Sequence, residues 1–459
     1  MTEHDPVPSA PAVSPAPSLF VAPSAPASAT PSAPASASAP FPRPEHRPHV
    51  AVADPDPRRR GYDRGRQLAP ALHGALETYD RLFALGGIRP ETVRDDARRA
   101  LDAVDAFRPA LREQIQGIAA GAGVEAWRIA ALNARTEILA RSTAVPPGEC
   151  STIVRAARTP DGAGRTHVGV QTWDWHVELS PYWHTVESAG GTHRYAGLTE
   201  HGILAKIGVN SAGLALHFNI LGHEDDRAGG IPVHVLAALV LEEAGSVAHA
   251  RELVESAPLT SSGSFMLFDA DSAVLLDLSP VGVFEAPRVA PDTHLRTNHF
   301  LTEVPAAREK TRLYQPDSGE RFGFLRERLG RAGDQGRDGG AGGAGGAGEA
   351  GGAGQDGGAG QDGGAGQDGA GPGAGFAAGP RDGARAVPPV PVTLEGLPRE
   401  LVTGPGEPPV TCVPDPAAPP GRRWASLATV VLDPATRTAR VLDGTPAEQF
   451  SRPWIPLRA

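Results

Sequence analysis

The chain has 459 residues, with 43 Lys and Arg against 53 Asp and Glu and a formal net charge of −10. That balance argues against a nucleic-acid-binding surface, which needs clustered positive charge. No apolar run nears the ~20 residues that span a bilayer, and no basic segment leads into an apolar core at the N-terminus, so neither a membrane span nor a secretory signal is expected. Cytoplasmic residence is the default, and the two cysteines are expected to be thiols rather than a disulfide.

Residues 1–48 are mostly Ala, Pro and Ser and read as a disordered tail, because this composition buries too little apolar surface to offset ordering entropy. Residues 49–149 read as a helical N-terminal segment. Leu72, Leu76, Tyr79 and Phe83 recur at helical spacing, as do Leu101, Val104, Leu111, Ile115 and Ile118, with Pro109 expected to kink the second run. A third helical stretch runs over 124–140. The character changes at Cys150. "STIVRAA" and "THVGVQTW" are short β-branched runs separated by a Pro-Asp-Gly turn signal. Hairpins are expected over 202–221 and 264–279, with "VGVFEA" extending the latter, and a helical pair over 231–257 lies between them. A helix near 318–330 precedes residues 331–387, a Gly/Ala-rich stretch with recurring "GGAGQD" that reads as a flexible linker. Beyond it, 424–433 and 439–444 supply a last hairpin. Hairpins, then paired helices, then more hairpins indicate an α+β fold of two antiparallel sheets layered with helices. The core is expected in 150–330 and 388–459.

Cys150 sits where a Pro-Pro-Gly-Glu turn meets a strand. A thiolate there would be a strong nucleophile, yet no histidine is locally marked as its base. If the Glu149–Cys150 bond were cleaved, the new α-amine of Cys150 would serve as base, since its ordinary pKa of ~7.7–8.0 suits neutral-pH proton transfer. The competing reading is a small buried apolar residue. Asp174, in "QTWDW", falls at the end of the second strand, beside Cys150, where it either orients the amine or thiol or simply faces solvent. Asn298, in "RTNHFL", is a candidate oxyanion donor or an ordinary loop residue. His176, His184 and His193 fit no zinc pattern, and no metal or cofactor is expected.

The stretches "NARTEILA", "GECSTI", "GVQTWDW", "EHGILAKIGVNSAGLALHFNIL", "GIPVHVLAALVLEEA" and "RTNHFL" occur in the order found in the acyl-CoA:6-aminopenicillanic acid acyltransferase family of N-terminal nucleophile (Ntn) hydrolases, and the chain resembles that family over about 55–301 and loosely over 420–445. The resemblance implies a four-layer αββα sandwich and a precursor that cleaves itself before Cys150. The two resulting fragments would form a heterodimer. Cys150 would then be the nucleophile, with Asp174 the catalytic aspartate and Asn298 the oxyanion-hole asparagine. Arg423, or else Arg422, would be the arginine that pairs with the aspartate. Asn219 is a further oxyanion candidate, and Arg135 and Glu137 would support the site as a buried ion pair or fix a helix. A glutamate, Glu149, stands before the nucleophile where the family usually has glycine. The implied activity is acyl transfer through a thioester. The donor is an acyl-CoA or N-acyl amide, and the acceptor is an amine, CoA or water. The alternatives are a bile-salt-like or N-acyl-amide hydrolase on the same fold, or a non-catalytic binding module.

Overall fold

The computed structural model describes residues 41, 43–142, 144–145, 150–158, 164–310, 317–338 and 396–459, with backbone alone over 332–338. Glu149 and most of the expected tail and linker lie outside the described residues.

Asp56 starts the longest helix by accepting a hydrogen bond from the Arg59 amide at 2.9 Å, and Pro57 takes the first position, where a missing N–H costs nothing. The helical segment comprises α1 (Pro57–Leu85), α2 (Pro90–Phe107), α3 (Pro109–Ala122), α4 (Ala126–Asn133) and α5 (Arg135–Leu139). Pro109 does not kink a continuous helix. It opens α3 after a break at Arg108, because proline has no N–H to continue the α2 ladder. Helices α1 and α3 approach closely through glycines. A Cβ on Gly65 would lie 2.1 Å from the Ile118 carbonyl oxygen, and one on Gly117 would lie 2.1 Å from that of Arg58.

Two sheets follow. The first has eight strands in the order β1 (His49–Val52), β4 (Trp183–Ser188), β5 (Tyr195–Glu200), β6 (Ile207–Asn210), β7 (Ala215–Ile220), β8 (Gly263–Phe268), β9 (Ala273–Ser279) and β10 (Gly282–Glu285). The second has six, in the order β11 (Thr293–Arg296), β2 (Cys150–Arg158), β3 (Arg165–His176), β12 (Trp424–Asp433), β13 (Thr438–Leu442) and β14 (Trp454–Arg458). Pairing is antiparallel except at one edge, where β1 lies parallel to β4.

The sheets face each other, and helices cover both outer faces. Helices α6 (Val233–Glu243) and α7 (Val247–Ser256) pack on the first sheet. Helix α6 is apolar nearly all round and buried throughout Val233–Glu242. After the short α8 (Glu303–Ala306) comes α9 (Ser318–Asp338). It covers the second sheet together with a 3₁₀ turn at Leu397–Leu401, closing a separate core that includes Ile153, Val170, Leu325 and Leu401. The α+β class and the αββα layering expected from the sequence are observed.

The boundaries differ from those expected at three points. Phe41 is buried, and the buried Arg47 side chain pairs with Asp443 at 3.0 Å and stacks 3.7 Å from the Trp183 ring centre, so 43–48 belong to the folded part. The backbone of α9 continues to Asp338, past the expected start of the linker. Residues 202–206, expected in a strand, lead into β6 without joining it.

Gly117→Ala should lower stability by about 1–3 kcal/mol, because the α1 backbone cannot retreat from the new methyl without disturbing its packing. Urea unfolding checks this, and an unchanged midpoint would contradict the close approach.

Candidate active site

Cys150 opens β2 directly opposite Trp173 of β3, which sets Asp174 one residue further along the same strand. On its other side Asp174 pairs with Ser426 of β12, next to a bulge between Ser426 and Ala428. Asn219 arrives from β7 of the facing sheet, and Asn298 follows β11. All of these side chains are buried.

The Cys150 peptide unit is gripped at both ends. Its N–H donates to Asn298 Oδ1 at 2.8 Å. Its carbonyl oxygen accepts from Asn219 Nδ2 at 3.1 Å and from Arg321 Nη1 at 3.2 Å. Arg321, on the first turn of α9, also donates to Ser151 Oγ at 3.1 Å and Asn298 Oδ1 at 3.2 Å, and its Nε pairs with Asp317 at 3.2 Å. Asn298 is itself fixed. Its Nδ2 donates to the Ile220 carbonyl at 3.0 Å, and its backbone N–H donates to Ser318 Oγ at 2.8 Å.

Burial is the main reason the Cys150 thiol is pushed up to about 12, and the Asp174 charge adds to it. Lys206, the Asp174 backbone amide and Arg321 oppose the rise. The thiol is thus held protonated and needs a base to become a nucleophile.

Sequence reasoning brought Cys150, Asp174, Asn298 and Asn219 together, and the structure does the same. Asn298 Oδ1 accepts from the Cys150 N–H and from Arg321, and its Nδ2 donates to the Ile220 carbonyl. Arg423 does not pair with Asp174. It binds Glu178 Oε1 through Nη2 at 2.6 Å and Nε at 3.1 Å, beside a half-open cavity of about 350 Å³. Its alternative, Arg422, is exposed. The strand register explains the miss, because it sets Ser426, not an arginine, against Asp174. Arg135 and Glu137 are both buried but form no ion pair with each other. Arg135 pairs with Glu200 at 2.6 Å, while Glu137 accepts from the Val233 amide at 2.9 Å and Ser261 Oγ at 2.6 Å. Sequence reasoning missed Arg321 and Lys206. Arg321 follows Ser318 on a helix in "SGERF", a stretch with no local chemical signature.

Residues 160–333, which begin after Cys150 and contain Asp174, Lys206, Asn219, Asn298 and Arg321, match the family model described as acyl-coenzyme A:6-aminopenicillanic acid acyl-transferase. Over those residues the chain is similar to that family. It is 29% identical over 277 residues to the acyl-coenzyme A:6-aminopenicillanic-acid-acyltransferase 40 kDa form of Emericella nidulans, an alignment that covers 59% of this chain and 74% of the relative. Among solved structures it is distantly similar to a mutant of conjugated bile acid hydrolase from Clostridium perfringens, at a TM-score of 0.36 and 10% identity, over 67% of this chain and 92% of the other. A second is penicillin V acylase from Agrobacterium tumefaciens, at 0.30 and 11%, over 67% and 86%. No helix among the described residues is long and apolar enough to cross a membrane.

Two expectations follow from the site. Arg321→Met should cost about 1–3 kcal/mol, because it strips donors from buried Cys150 and Asn298 oxygens, whereas Arg423→Met, which breaks a partly exposed pair, should cost no more than about 1 kcal/mol. Urea unfolding of both variants tests the assignment, and equal losses would contradict it. The second concerns acid. Burial holds His176, His201 and His217 at about 3, so their contribution to stability is complete above about 6.5 and drains as pH falls toward about 3. Asp226 and Glu309, pushed up to about 7 by burial, act in the opposite sense, and their contribution is lost as pH rises through about 7. His176 stacks 4.1 Å from Trp424, so His176→Phe keeps the ring contact without the titration. Its Tm should fall less than that of the wild type below about pH 6.5; parallel curves would contradict this.

Proposed function

We propose that this protein cleaves itself before Cys150 and then uses Cys150 as the nucleophile of an acyltransferase or amide hydrolase. The observation that carries the reading is the grip on both ends of the Cys150 peptide unit, with Asn298 Oδ1 2.8 Å from the nitrogen that cleavage would free. A nitrogen held in that way stays in register with the thiol after the chain before it is cut.

In maturation the Cys150 sulfur attacks the Glu149 carbonyl carbon. The peptide C–N bond breaks, the proton passes to the nitrogen, and water hydrolyses the resulting thioester. The products are a carboxylate at Glu149 and a free amine at Cys150. In turnover that amine takes the thiol proton, and Asp174 balances the ammonium that forms. The thiolate attacks the acyl carbon of an acyl-CoA or N-acyl amide, and an oxygen-centred negative charge develops. Asn219 Nδ2 and the Arg321 guanidinium, both fixed at the Cys150 carbonyl, are the donors assigned to it. Collapse expels the thiol or amine leaving group with the returned proton and leaves a thioester on Cys150. An amine or water then attacks the thioester, and the thiol is restored. The two fragments remain together as a heterodimer.

Incubation with an acyl-CoA or N-acyl amide, followed by rapid acid quench, should add one acyl group to the fragment that begins at Cys150, and neutral hydroxylamine should remove it. Cys150→Ala should take no label and lose turnover by at least about a thousandfold. Full activity in Cys150→Ala would sink the proposal.

A further inference from the structure

One buried cation beside the nucleophile has no task in that reaction. Lys206, just before β6, is 2% exposed. Its Nζ donates to Glu200 Oε1 at 3.2 Å and lies 5.1 Å from the ring centre of Trp173, the residue paired across the sheet with Cys150. Glu200 Oε1 also accepts from Arg135 Nη2 at 2.6 Å, and Glu200 Oε2 accepts from the Tyr79 hydroxyl. Tyr79 is steadied in turn by Trp175 Nε1 at 3.0 Å, while the Arg135 guanidinium stacks 4.0 Å from the Trp175 ring centre. A continuous charge chain thus runs from Arg135 through Glu200 to Lys206. Arg135 and Tyr79 precede the proposed scissile bond, whereas Glu200, Lys206 and Cys150 follow it.

We propose that Lys206 is a positioning residue that keeps positive charge beside the Cys150 sulfur, and that the N-terminal fragment controls it through Arg135 and Tyr79 acting on Glu200. This rests on Cys150 being the nucleophile. The site contains a conflict that such a charge resolves. Asp174 must sit near the freed amine to hold its ammonium, but its negative charge opposes formation of the thiolate. Lys206 supplies the opposite sign from beside Trp173. Burial, its largest influence, pulls Lys206 down to about 8, and Arg135 pulls the same way, while Glu200 and the Cys150 thiol resist. The charged and titratable groups around it are Glu200 from β5, Arg135 from α5, His234 from α6 at 3.4 Å, and Cys150 from β2, which in turn feels Asp174 of β3. His234 is held neutral by burial, so Glu200 is the counter-charge that keeps Lys206 ionised. The N-terminal helices are on this view part of the catalytic apparatus after cleavage.

The test is the pH profile of iodoacetamide alkylation of Cys150 in the full purified protein, with Cys150 and Cys412 separated by peptide mass. Lys206→Met should slow alkylation at neutral pH about tenfold and move the midpoint about one pH unit upward, as loss of a nearby opposite charge requires. Lys206→Arg should restore both, and Glu200→Gln should shift the profile in the same direction as Lys206→Met. A folded, cleaved Lys206→Met with the wild-type midpoint overturns the inference. Should that variant not fold, Lys206→Arg decides, because its charge persists into alkaline solution; a midpoint above the wild type overturns it. A wild type that is uncleaved and inert at every pH defeats the proposed function and this inference together. Cleaved, reactive wild type with unmoved variants defeats this inference alone.

Discussion

Everything at the centre of this molecule depends on one peptide unit being held from both sides. The Cys150 nitrogen is fixed by an asparagine that follows β11, and its carbonyl by an asparagine from the opposite sheet and an arginine from the covering helix α9. No single element makes the site. Both sheets and the outer helix must be in place before the three partners converge, and each is fully buried. Buried polar networks of this kind are costly when incomplete, so the clamp also favours one registration of the two sheets over its neighbours.

The second constraint is electrostatic. A buried thiol next to a carboxylate resists ionisation, and the fold answers with cations rather than with solvent exposure. Arg321 reaches the Cys150 carbonyl, and Lys206 lies against the ring of Trp173, the cross-strand neighbour of Cys150. Arg135 and Lys206 share Glu200, so the group carries one net positive charge in a place water does not reach. Arg135 belongs to the helical segment, which is therefore more than a cover for the first sheet. Asn133 reinforces the join by donating to the Gly202 carbonyl at 2.8 Å and accepting from the Leu204 amide at 3.0 Å.

Local sequence made part of this legible. The β-branched runs on either side of a turn signal put Cys150 opposite the end of β3, and the register sets Cys150 against Trp173. The apolar α6 and the hairpin of β8 and β9 could be read in the same way, because each is defined by neighbours in the chain. What stayed hidden were the contacts made across long separations. Strand β1 joins the fold by pairing with β4, and Arg47 is fixed by Asp443, far away in sequence. The family resemblance suggested Arg423, beyond the Gly/Ala-rich stretch, as the site arginine, whereas the guanidinium that reaches Cys150 is that of Arg321, on a helix before it. Asn298 stands beside Cys150 as its motif suggested, but only the surrounding donors reveal that its oxygen, not its amide, faces the Cys150 nitrogen.

The most direct test of Cys150 as a processed nucleophile is the intact mass of the purified protein. Self-cleavage predicts two co-purifying fragments whose masses meet at the Glu149–Cys150 bond, and a single uncut chain for Cys150→Ala. One unbroken wild-type chain, persisting under conditions that favour maturation, would contradict it.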